Sequence, residues 1–242
     1  WLREALVDVL IAGGGYAPYS HTFTQFIDLG HRYGVPVYPC VNYSCLLGMP
    51  APAADVQYAL DSNYRAMGAD GIYLFNPFVP VNLGKMGAAE VYGPFSSMGD
   101  PTAVILKDKF YQANSSAPMP HMAYGTAPLT LPQAVNDHAP IPLFVGDAVE
   151  RVFARGLVAE LRLRVLVVNL KEGETVRIKV NGQPTALTSQ EQAGEGRWFD
   201  SLLTAPPLRQ GLNTVAVSPG PGSLGRLAST VRDVRLYVKH RR

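Results

Sequence analysis

Residues 65–76, Arg65-Ala66-Met67-Gly68-Ala69-Asp70-Gly71-Ile72-Tyr73-Leu74-Phe75-Asn76, close a helix at a glycine, turn, and enter a short continuous apolar strand. The helix ahead of them has the apolar face Val56, Ala59, Leu60, Tyr64 and Met67, spaced by threes and fours. Two earlier apolar runs have the same character: Leu6-Val7-Asp8-Val9-Leu10-Ile11, ending in Gly13-Gly14-Gly15, and Val35-Pro36-Val37-Tyr38-Pro39-Cys40-Val41-Asn42. Between them a helix is predicted from about Thr22 to Tyr33, with Phe23, Phe26, Ile27 and Gly30 on one side and Gly34 at the C-cap place. Asp100-Pro101 reads as the N-cap and first residue of a further helix to about Tyr111. Continuous apolar strands alternating with helices predict a parallel sheet covered on both faces, either the last three units of an eight-unit barrel or half of an open doubly wound sheet.

Beyond residue 140 the pattern changes. Leu161, Leu163, Val165 and Val167 alternate with Arg162, Arg164 and Leu166, and Val176, Ile178 and Val180 alternate with Arg177 and Lys179. Asn181-Gly182 is a hairpin signal because both central residues of a type I′ turn need positive φ. Further strands at 197–203, 212–217 and 231–239 complete the expectation of an antiparallel β-sandwich. Residues 1–140 hold six Lys/Arg against ten Asp/Glu, and 141–242 hold fifteen against nine, so the halves differ in sign. Six prolines between Pro118 and Pro142 mark the connection. The expected organisation is an α/β unit over 1–116, a Pro-rich connecting segment over 117–140 and a sandwich over 141–242.

The whole chain has 242 residues, 47% hydrophobic and 17% charged, with formal net charge +2, which suits an ordered globular protein and carries no signature of a nucleic-acid partner. No apolar run is long enough for a membrane span. Trp1 is neither a methionine nor the start of a signal-peptide charge pattern, so the sequence reads as beginning inside a longer protein. Cys40 and Cys45, with no His or Cys pair at ligand spacing, predict no metal site, and no cofactor motif is present. The Gly13–Gly15 run lacks the spacing of a phosphate loop and reads as a tight turn.

The strings Leu6–Leu10 with Gly14-Gly15-Tyr16, Gly34–Pro39 and Arg65–Asn76 resemble the closing strands of bacterial glycoside-hydrolase-like (family 10-like) TIM barrels. Met98–Pro101 leading to Lys107–Tyr111, Val180-Asn181-Gly182 and Leu208–Thr214 fit the same proteins. The resemblance implies strands six to eight of a (β/α)8 barrel followed by an antiparallel β-sandwich, a carbohydrate ligand, and an extracytoplasmic or secreted location. It places Tyr16, His21, Asn42, Tyr43, Asn76 and Phe78 at the barrel mouth as sugar-binding residues. Asp70, at the strand's entrance, is expected to make structural bonds. Glycoside hydrolysis needs two carboxylates. The strand ending Pro39-Cys40-Val41-Asn42 brings none, and Glu90 is the only acidic residue between Asp70 and Asp100. Glu90 is therefore the one catalytic candidate, the rest of the pair being assigned to strands absent from this sequence. Two other functions stand beside hydrolysis: a non-catalytic glycan-binding barrel, and a surface protein whose sandwich mediates assembly.

Overall fold

The computed structural model describes residues 1–13, 22–43, 51–114, 129–131, 139–204, 207–221 and 229–241. The chain opens with β1 (Leu10–Ala12), α1 (Thr24–Arg32), β2 (Val37–Asn42), α2 (Ala54–Ala66) and β3 (Tyr73–Phe75). These strands form one parallel sheet in the order β1-β2-β3. Phe23, just before α1, Ile27 of α1, and Val56, Leu60 and Tyr64 of α2 bury one sheet face in a core shared with Ala12, Val37 and Val41. Gly30 is required where α1 meets β2, because a Cβ there would stand 2.2 Å from Val37 Cγ2. At the strands' N-terminal end the Asp70 carboxylate accepts hydrogen bonds from His31 Nε2 and from Val37 N, each at 2.8 Å.

The expected barrel units are overturned. Among the described residues strand, at 39%, outweighs helix at 23%. Among the described residues only α1, with 9 residues, and α2, with 13, are of crossover length. Between β3 and the next strand come only α3 (Val79–Asn82), α4 (Ala88–Tyr92), a 3₁₀ turn at Gly93–Ser96 and α5 (Pro101–Val104). Asp100 does cap α5, accepting from Thr102 N at 2.8 Å. The helix nevertheless stops at Val104 instead of reaching Tyr111, because the next residues alternate in and out as a strand.

That strand, β4 (Lys109–Asn114), opens the antiparallel part. It is followed by β5 (Leu129–Thr130), β6 (Ala139–Val145), α6 (Val149–Ala154), β7 (Val158–Val168), β8 (Val176–Val180), β9 (Gln183–Thr185), β10 (Ser189–Ala193), β11 (Gly196–Leu202), β12 (Gly211–Pro219) and β13 (Thr230–His240). One sheet runs β10-β11-β7-β13-β4, with β5 also on β13, and the other runs β6-β12-β8-β9. Two strands that precede residue 139, β4 and β5, thus belong to the antiparallel part. The inward residues of both sheets, among them Leu163, Val165, Phe199, Val234 and Leu236 against Ile141, Ile178 and Val215, form a single buried core. This is sheet-on-sheet packing with wet outer faces.

The polar strings of this half have structural explanations. Asn181 (φ 48°) and Gly182 (φ 83°) make the turn between β8 and β9. The Asn181 carboxamide donates to Asn213 Oδ1 at 2.8 Å and accepts from Thr214 N at 2.9 Å, tying that turn to β12. On the outer face Arg164 pairs with Asp200 across the β7–β11 register at 2.6 Å and with Glu191 at 2.7 Å. Arg164 and Arg235 lie over the Trp198 ring at 5.0 and 4.6 Å. The arginines therefore cover an aromatic ring while keeping their charges paired.

Candidate functional site

The residues expected at the strand ends fall into distinct environments. Asn42 ends β2 in register with Phe75, and Tyr43 N donates to Phe75 O at 2.9 Å, which joins the two strand ends. Tyr43 is fully buried and its ring meets Phe95 edge-on at 5.9 Å. Burial, with Tyr64 nearby, pushes its phenol well above the ordinary value. A ring packed this way is part of the core and offers no platform to a ligand. Asn76 has a left-handed backbone (φ 55°), a conformation Asn tolerates better than most residues, and its carbonyl accepts from Val79 N as α3 begins. Phe78, just before α3, is 51% exposed. Tyr16 and His21 lie outside the described residues.

The open face of the sheet adds what the strand-end reading omitted. Tyr73 and Phe75, two residues apart in β3, point to the same side. That side is opposite the helices, and both rings are exposed, as is Ile11 on β1. Tyr73, Phe75 and Phe78 thus present three aromatic rings within six residues.

Glu90 is exposed on the first turn of α4, and its carboxylate accepts from Gly87 N at 3.4 Å. It caps its own helix, where a negative charge also meets the favourable end of the helix dipole. The structure places Asn42, Tyr43, Asn76 and Phe78 at one end of the sheet and brings no second carboxylate to Glu90 among the described residues. No group of three or more His, Cys, Asp or Glu suited to a metal ion occurs among the described residues. Cys40 is a free thiol that burial pushes up to about 11.

A second polar centre lies where α2 meets the antiparallel part. The Lys109 ammonium is wholly buried, 2.9 Å from Asp147 Oδ2, and donates to Val104 O at 2.7 Å. Burial pushes this ammonium below its usual value, and the Asp147 charge only partly restores it. Asp61 on α2, also fully buried, accepts from Arg65 Nε at 3.0 Å and Gly99 N at 3.2 Å. A cleft of about 310 Å³ lined by Asp61, Arg65, Asp147 and Arg151 opens beside these pairs. Both buried carboxylates already have cationic partners within the chain, so this centre docks α2 against the sandwich.

His240, the last residue of β13, is buried next to this centre. Burial, followed by the Lys109 charge, holds its imidazole below the ordinary 6.5, against the opposing pull of Asp147 and Asp108. A depressed folded value means that the unfolded chain takes up the proton first. The stability contributed by neutral His240 is complete above about pH 6.5 and is lost as pH falls below it. The urea midpoint should therefore drop between about pH 7.5 and about pH 5, and His240→Phe should flatten that slope. An equal slope in the variant would remove His240 as its source.

The sequence carried signals for this centre. Asp61 interrupts the apolar face of α2, and Lys109 occupies an inward position of an alternating strand. Each is a charge where burial is expected, which calls for a partner. No family model matches the chain, and no curated protein matches it. No helix among the described residues is long and apolar enough to cross a membrane.

Proposed function

We propose that the chain binds carbohydrate without hydrolysing it, using the open face and C-terminal end of the parallel sheet. The observation that carries this reading is the exposure of Tyr73, Phe75 and Phe78 together. Aromatic rings offer flat apolar faces that match the C–H faces of sugars. Hydrolysis calls for two carboxylates flanking the scissile bond, and Glu90 is engaged at the N-terminus of its own helix.

Calorimetric titration with cello-, manno- and xylo-tetraose tests the proposal. Phe78→Ala should weaken the best-bound sugar about tenfold, or about 1.4 kcal/mol. The melting temperature should hold, because the ring is mostly in solvent. The same preparations should release no reducing sugar. Unchanged affinity in Phe78→Ala, or turnover that a Glu90→Gln change abolishes, would overturn the reading.

A further inference from the structure

On the antiparallel part, far along the chain from the aromatic rings of β3, a groove of about 480 Å³ lies between the β7–β8 connection and the segment entering β10. Its volume is within the range of small-molecule sites, roughly 300–1,000 Å³. Glu172 and Glu174 form one wall, Leu187, Thr188 and Gln190 the other, and Arg197 lies on β11 between them.

Arg197 differs in its partners from three other arginines of its sheet. Arg162, Arg164 and Arg235 each pair with a carboxylate. Among the described residues Arg197 has no such partner. Its Nη1 donates to Glu174 O at 2.7 Å and its Nη2 to Lys171 O at 3.3 Å, and the guanidinium lies 5.9 Å from the centre of the Phe199 ring. The head group is thus fixed in place by backbone carbonyls, and three of its five N–H donors remain unused by these bonds. Thr188 Oγ1 donates to Asp200 O at 3.2 Å, which leaves its lone pairs as acceptors. The carboxylate of Glu172 and the carboxamide of Gln190 are exposed at the rim. Leu187, 37% exposed, supplies an apolar wall.

We propose that this groove is a second binding site, for a neutral sugar residue. The Glu172 carboxylate disfavours an anion and Arg197 disfavours a cation, while Glu174 Oε2 already accepts from Lys171 N at 2.8 Å, so the groove suits an uncharged occupant. Arg197 donates, Glu172 accepts and Gln190 does both beside an apolar wall, and vicinal hydroxyls, each able to donate and accept, answer both kinds while the ring's C–H face meets Leu187. The site stands on its own lining and does not depend on Tyr73, Phe75 or Phe78.

Three preparations of the full chain, titrated with cello-, manno- and xylo-tetraose and with a tetramer of galacturonic acid, test it. Glu172→Ala combined with Gln190→Ala removes two rim side chains and should leave the fold intact. It should weaken the neutral tetrasaccharide at one of two sites by tenfold or more while leaving the other site unchanged. Phe78→Ala should do the converse. Arg197→Gln should match the double variant, with its melting temperature checked, because its carbonyl bonds also tie the β7–β8 connection. Unchanged affinity in the double variant overturns the groove, and if Phe78→Ala alone abolishes binding, the site on the parallel sheet stands without it. Binding that survives Phe78→Ala and fails in the double variant upholds the groove and removes the other site. Preferential capture of the galacturonic tetramer overturns the assignment of a neutral ligand.

Discussion

Lys109→Met is expected to lower the free energy of unfolding by about 3–5 kcal/mol, the usual cost of breaking a buried ion pair from one side. The Lys109 side chain has no exposure and Asp147 only 7%, so the substitution strands a carboxylate in the interior. The double change Lys109→Met with Asp147→Leu should recover most of the loss, because two apolar side chains of similar size need no solvation. Urea unfolding of the three variants measures both effects. A single variant that loses less than about 1 kcal/mol would mean that water reaches Asp147 and that the pair is not a closed docking contact.

Gly146→Ala should be nearly as damaging. A Cβ at this position would stand 2.2 Å from the carbonyl carbon and oxygen of Ser62 and 2.4 Å from Asn63 N. All three atoms are backbone of α2, so no side-chain rotation relieves the overlap and the helix has to move off the sandwich. Overpacking of this kind costs about 3 kcal/mol, and the melting temperature should fall accordingly. Gly93→Ala is the control: nothing lies within 4 Å of its added Cβ, and its φ of −52° suits any residue. It should be neutral or slightly stabilising. Equal stability of the two variants would show that α2 does not rest on Gly146.

These two changes act at the junction that the sequence showed least clearly. The periodicity of Val56, Leu60 and Tyr64 made α2 legible, and the alternation of Leu161 to Val167 made β7 legible, because each pattern is local. The partnership of Lys109 with Asp147 is long-range, and Lys109 at an inward position put the pattern of β4 out of phase, so residues 105–111 read as helix. The apolar runs before residue 76 predicted a sheet covered on both faces, yet Ile11, Tyr73 and Phe75 face outward and β1 and β3 remain edges. Strand composition reports how apolar a strand is. It does not report how many strands share the sheet, and barrel closure depends on that number. Glu90 was legible in a different sense, since a Glu three residues after Gly87 at a helix start is in the position to cap it. Tyr43 looked like a ligand platform by its place at a strand end, and the packing of Phe95 against it turned it into core.

Residue-resolved mapping by amide chemical shifts, with the best-bound tetrasaccharide at saturation, bears most directly on the carbohydrate reading. The amides of Tyr73 to Asn76, of Phe78 and of Asn42 and Tyr43 should shift, and those of Asp70, His31 and the Lys109–Asp147 centre should stay in place. Saturable binding that leaves the segment 73–78 unperturbed, or no binding of any tetrasaccharide in the panel, would contradict it.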